Sequence, residues 1–215
     1  MRRGIRVAAP LLPAVLVFGV SFGVLARGTG FGVLSATVMS ATTFAGSSQF
    51  AAVSVLGAGG GLASAIAAAL LLNARYAPIG ISVARVFHGS ALRRLGEAQL
   101  VVDESWALSG AGGPSLDRGV LLGAGAALWV CWTGGTLVGA LAGGAIGDPK
   151  TFGLDGAFAA LFLALLLGQL RSRRTVAAAV AGGAIAALLT PEVRPGIPIV
   201  AATAAVVIGL RRRDG

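Results

Sequence analysis

The 215 residues are 56% hydrophobic and only 12% charged, with a mean hydropathy of +0.87 and a formal net charge of +9. Soluble domains carry roughly 25% charged residues, so the composition points to an integral membrane protein and away from an aqueous enzyme. The basic excess does not indicate a nucleic-acid partner, because the arginines flank apolar stretches as positive-inside sorting produces.

In chain order, the apolar stretches predict membrane helices at 8–26, 32–57, 61–86, 119–146, 153–170, 174–190 and 196–211. The N-terminal stretch resembles a signal peptide, but its apolar run of about 20 residues suits an uncleaved first span better. From Gly28 to Ala74 no Asp, Glu, Lys or Arg occurs. The turns GAGGG (57–61), GDPK (147–150) and PEVRP (191–195) carry the Gly and Pro that stop helices. Between the third and fourth helices lies a long connection, 87–118, whose amphipathic front half suits a membrane surface. The expected architecture is all-α: a polytopic single transmembrane domain over 1–215 with about six to seven spans.

A weak internal match aligns Phe31-Gly32 with Phe152-Gly153. It suggests repeats at 8–86 and 119–190, and three helices per unit would make the copies inverted. The competing explanation is chance similarity between Gly/Ala-rich helices. For orientation, one face is expected to gather Arg27, Arg85, Arg93, Arg94, the Arg171–Arg174 loop and the Arg211–Arg213 tail. Seven spans would then leave Arg2, Arg3 and Arg6 outside, against the positive-inside rule, whereas one re-entrant segment would give six.

Polar residues concentrate in the second helix, where Ser40, Thr43 and Ser47 share a face that Ser48 and Gln49 extend. The hexapeptide FAGSSQ, Phe44 to Gln49 with Gly46 inside it, is where this helix is expected to loosen and expose backbone to a buried solute. The alternative is helix–helix adhesion through small polar residues. Asn73 and Arg75 follow in the third helix. Arg75 either holds a substrate carboxylate or pairs with Asp103, Glu104 or Asp155, and Asn73 most simply bridges helices. Asp103 and Glu104 are candidates for carrying protons or else a solvated pair, and Asp155 reads first as a helix N-terminal charge. His88 reads as interfacial. One His and one Cys, the apolar-flanked Cys131, leave no metal cluster, no disulfide and no nucleophile–base motif. No GxxxxGK[ST] occurs. Neither catalysis nor a cofactor is expected.

The segments FGVSFGVLARGTGF, MSATTFAGSSQFAAV, LLLNARYAPIGIS, VVDESWAL and GLDGAFAALFLALL resemble, in order and spacing, the AzlC family of branched-chain amino acid export permeases. The resemblance places Ser40, Phe44, Gly46, Gln49, Asn73, Arg75, Asp103 and Glu104 at recurrent positions. It implies export of valine, leucine or isoleucine, by a large subunit that works with a small hydrophobic AzlD-type partner. Two departures stand out: Tyr76 occupies a position more often His, and Val102 one that is commonly Thr. The expected protein is therefore a multi-pass subunit in the bacterial inner membrane, coupled to protons for want of a nucleotide site. A passive channel for a small neutral solute and a non-transporting scaffold for the small subunit are the alternatives.

Overall fold

The computed structural model describes residues 1–112, 115–146, 163, 166–167, 170, 172–193 and 197–205. The helices are α1 (Arg2–Ala8), α2 (Leu12–Gly28), α3 (Val33–Thr43), α4 (Gly46–Gly57), α5 (Leu62–Asn73) and α6 (Tyr76–Val83). They continue with α7 (Ala91–Ala98), α8 (Asp103–Gly110), α9 (Arg118–Ile146), α10 (Arg173–Leu189) and α11 (Ile197–Ala202). Short 3-10 turns join α1 to α2 and follow α11. No strand occurs among the described residues.

The elements cluster in two units, one of residues 1–50 and 72–147, the other of 51–71 and 148–215. In the second, α10 packs on α11, and a Cβ on Gly182 would lie 3.3 Å from the Ala202 carbonyl oxygen. The first unit holds nearly all the candidate residues.

By length and apolarity, Arg2–Gly28 and Arg118–Gly144 can each cross a membrane. The α5–α6 pair, bent by 45° at its break, is apolar enough to make a third if the two helices form one broken span. Most of the predicted helix 153–170 and part of 196–211 lie outside the described residues, so the count of six to seven is not represented in full. Two predicted helices are corrected: 32–57 is interrupted at Phe44–Ala45, and 61–86 is interrupted at Ala74–Arg75. Gly30 and Gly59, at φ +91° and +79°, close α2 and α4 with left-handed caps. Their neighbours donate back across five residues, Phe31 N to Ala26 O at 2.9 Å and Gly60 N to Val55 O at 2.8 Å, as Schellman caps require.

The centre of the first unit is a glycine seam between α1–α2 and α9. A Cβ on Gly19 would sit 2.6 Å from Trp132 O, on Gly23 2.2 Å from Thr136 O, and on Gly139 2.0 Å from Val20 O. Only glycine lets the two backbones approach so closely, and in lipid such packing replaces the hydrophobic drive that water supplies to soluble helices. The contacts advance in the same sense along both helices, with Gly4 beside Val120 and Arg27 beside Gly143, so α1–α2 and α9 are parallel. The first helices of the two proposed repeats thus run parallel, whereas an inverted pair would set them antiparallel. Arg27 also lies at the opposite end of the seam from the start of α9, which corrects its expected grouping with Arg93 and Arg94.

The connection 87–118 carries α7, which falls in its amphipathic front half, and α8. Buried Glu97 receives Arg93 Nε at 3.0 Å and Arg118 Nε at 3.1 Å, fastening α7 to the start of α9. Arg118 first, then Arg93, hold the Glu97 carboxyl below its ordinary value of 4.5. A lowered carboxyl contributes stability above the unfolded value and loses it as pH falls through the folded one. Proteolysis within α7 should therefore quicken as pH drops below 4.5, and Glu97→Gln should abolish that dependence.

The seam yields a second prediction. Gly139→Ala must push the backbones apart, costing about 1–3 kcal/mol of packing, and should lower the melting temperature of the detergent-purified protein. Gly134→Ala, whose Cβ meets nothing within 4 Å, should not lower it.

Candidate functional site

At Phe44 the backbone turns left-handed, φ 40° and ψ 51°, a conformation that costs a non-glycine residue roughly 1–2 kcal/mol. Such a break orphans carbonyls at the end of α3 and amides at the start of α4. Inside a membrane these groups must find partners within the protein. The structure supplies them with side chains. Gln99 Nε2 donates to Ala41 O at 2.9 Å and Thr42 O at 2.8 Å, and Trp129 Nε1 donates to Ala41 O at 2.9 Å. On the α4 side, Ala45 N donates to Gln49 Oε1 at 3.1 Å, and Ser48 Oγ donates to Ala45 O at 2.7 Å.

Gln49 ties the break to the rest of the unit. Its Oε1 also accepts from Trp132 Nε1 at 3.1 Å, and its Nε2 donates to Ser40 Oγ at 3.0 Å. Ser40 Oγ lies 2.8 Å from Thr136 Oγ1, which donates to Trp132 O at 2.9 Å. With Thr136 donating to that carbonyl, Ser40 donates to Thr136. The hydrogen-bond chain runs from Gln49 through Ser40 and Thr136 to the α9 backbone. Ser40, Ser48, Gln49 and Thr136 are all fully buried. Beneath them Phe22, Phe50 and Trp132 form an aromatic cluster with centroids 5.5 to 6.1 Å apart. Gly46 is small for a reason: a Cβ there would lie 3.0 Å from the Trp132 ring.

A pocket of about 280 Å³ opens where the two helix breaks meet. Thr43, Phe44 and Ala45 line it from the first break and Asn73 and Tyr76 from the second, with Ile79, Val83 and Gln99 among the other walls. Among the described residues, every lining side chain is uncharged. Asn73 Oδ1 and Ser47 Oγ are buried with no hydrogen-bond partner among the described residues.

Arg75 stands just outside this lining. Its Nε is 2.9 Å from Asp103 Oδ2 at the first turn of α8, and its guanidinium lies over the Tyr76 ring, 5.3 Å from the centroid. Of the partners expected for Arg75 the structure selects Asp103. Asp103 and Glu104 begin a helix rather than sit in a loop, and Trp106 Nε1 donates to Ser82 Oγ at 2.8 Å, joining α8 to α6. Desolvation first, then the Asp103 charge, raises the Glu104 carboxyl above the usual glutamate range, against the lowering pull of its own backbone N–H and of Arg75. Asp155 lies outside the described residues.

The predicted residues thus separate. Ser40, Ser48 and Gln49 build the break, Thr43, Phe44 and Asn73 line the pocket, and Arg75 with Asp103 braces it. Gln99, Trp129, Trp132 and Thr136 were not singled out as site residues from the sequence. The last three fall at i, i+3 and i+7 on α9, the same spacing as Ser40, Thr43 and Ser47, and that polar-edged stripe was the available signal.

Gln49→Leu leaves Ala45 N, Ser40 Oγ and Trp132 Nε1 each short of a partner, at about 1–3 kcal/mol per buried group. The variant should melt well below wild type in detergent, whereas Ser47→Ala, which removes an already unpartnered hydroxyl, should not.

The family profile described as AzlC protein matches residues 10–146. An uncharacterized membrane protein of Archaeoglobus fulgidus is 34% identical over 194 residues, covering 86% of this chain and 82% of its own length. The branched-chain amino acid transport protein AzlC of Bacillus subtilis is 26% identical over 163 residues, covering 74% of this chain and 64% of its own length. An uncharacterized membrane protein of Helicobacter pylori is 28% identical over 162 residues, 74% of this chain and 71% of that one. No solved structure matches. With the family profile spanning well over half its length, and with the broken helices formed by the segments that carry the resemblance, the chain belongs to the AzlC family.

Proposed function

We propose that this membrane protein exports small apolar amino acids of the branched-chain class, as the large subunit of a proton-coupled carrier in the bacterial inner membrane. AzlC proteins are a transport-associated family rather than an enzyme family, and the Bacillus subtilis relative is named for branched-chain amino acid transport. The observation that carries the reading is the neutral pocket between two helix breaks. Its volume of about 280 Å³ falls just below the roughly 300–1,000 Å³ of drug-sized ligand sites, as suits a small solute. A wall of Phe44, Ile79 and Val83 suits a branched aliphatic side chain, and the absence of charge from the lining disfavours lysine or glutamate.

In this proposal Asn73 Oδ1, which has no donor among the described residues, accepts from the substrate ammonium, and Thr43 supplies a hydroxyl beside it. Glu104, raised by desolvation, carries the coupling proton while Asp103 stays paired with Arg75. Asp155 is a further candidate carrier. A small hydrophobic AzlD-type subunit completes the transporter, as the family resemblance implies.

Efflux of labelled leucine from loaded vesicles, with and without an imposed pH gradient, tests these assignments. Asn73→Leu should cut efflux severely at unchanged protein level, and Glu104→Gln should remove the response to the gradient while sparing leucine exchange. Wild-type efflux in Asn73→Leu would remove the pocket from the pathway, and a wild-type response in Glu104→Gln would move coupling elsewhere.

A further inference from the structure

The parallel seam constrains how the chain threads the membrane. Two neighbours that run in the same sense must be separated by an odd number of crossings, so the segment between Gly28 and Arg118 crosses an odd number of times. The α5–α6 pair bends by 45° at its break, which tilts a span without reversing it. α7 and α8, eight residues each, are far short of the roughly 20 that a crossing needs. Taken as one broken span, α5–α6 supplies that crossing, which leaves none for α3–α4.

The geometry of α3–α4 agrees. On a straight helix Ser40 and Gln49 would be about 13.5 Å apart along the axis, at 1.5 Å per residue. Gln49 Nε2 and Ser40 Oγ are 3.0 Å apart, closer than their side chains could bring them on a straight helix, so the chain departs from a straight course at Phe44–Ala45. Depth can be read against α9. Arg27, packed on Gly143, donates from Nη1 to Phe31 O at 2.9 Å just before α3 begins. Further along, Ser40 meets Thr136, and Ala41 O meets Trp129. α3 therefore climbs from the C-terminal end of the seam to its middle and stops there. The first turns of α4 turn back, with Phe50 packing against Phe22 and Trp132.

We infer that α3–α4 is a re-entrant hairpin, entering and leaving on the face where α2 ends, with Thr43–Ala45 at its tip in mid-membrane. Charge orients it. Arg2, Arg3 and Arg6 share the face of the α9 start, where Arg3 Nη1 is 3.7 Å from Asp117 Oδ2 and Arg118 and Arg93 hold Glu97. Arg27 lies at the other end. Positive-inside sorting makes the first face cytoplasmic, so the hairpin dips in from the opposite side. This removes the conflict that seven full spans created for the N-terminal arginines, and it holds whatever the solute is.

Single cysteines in a Cys131→Ala background test it, using a membrane-impermeant maleimide on intact cells and on permeabilised ones. Gly32→Cys and Ala58→Cys, flanking the hairpin at exposed positions, should both label in intact cells, and His88→Cys only after permeabilisation. Leu34→Cys and Leu62→Cys, 77% and 67% exposed, report the same two ends if a loop variant fails to accumulate. Labelling of the two ends from opposite sides would overturn the hairpin. Labelling of both ends only after permeabilisation would keep the hairpin and overturn its orientation.

Discussion

A backbone that breaks in the middle of a membrane must have its amides and carbonyls satisfied by the protein itself, and the interruption at Phe44–Ala45 imposes that demand here. Gln49 answers most of it. One side-chain amide caps Ala45 N, accepts from Trp132 and holds Ser40, so the left-handed Phe44 is fixed from three sides. Gln99 and Trp129 close the other end by taking the carbonyls of Ala41 and Thr42. Because Gln99 also lines the pocket, the connection between α6 and α9 that carries it is part of the site's frame. Glu97 and its two arginines in turn hold that connection to α9.

The glycine seam is the platform on which this break is assembled. With Gly19 and Gly23 pressed against α9, the Trp132 and Thr136 side chains project beside α2 at a fixed height, where they meet Gln49 and Ser40. A larger residue in the seam would move the partners of the break as well as loosen two helices. The second break, at Ala74–Arg75, is braced differently, by an ion pair to Asp103 and by the guanidinium over Tyr76. That leaves Arg75 committed to a protein carboxylate and turns attention to Asn73 as the polar group of the pocket.

Helix positions in the first half were legible from apolar runs, and the loosening of FAGSSQ from its density of Ser, Gln and Gly. What those side chains do was harder to read. Ser40 and Gln49 look like solute ligands when only spacing is known, because a hydroxyl facing a cavity and one facing Thr136 leave the same periodic trace. The fold-back that joins residues nine apart has no local signature. The parallel course of α2 and α9 was equally hidden, since Gly-x-x-x-Gly spacing announces close packing without its direction. Asp103 was among the weighed partners of Arg75, and only geometry could choose it.

The proposed seat of the apolar amino acid is the neutral pocket framed by the two helix breaks. The most direct measurement is the alkylation rate of Thr43→Cys in a Cys131→Ala background, with and without saturating amino acid. Thr43 lines the pocket, and its side chain is exposed. Leucine should slow the reaction while lysine and glutamate leave it unchanged. An unchanged rate with leucine, or equal slowing by all three, would contradict the account.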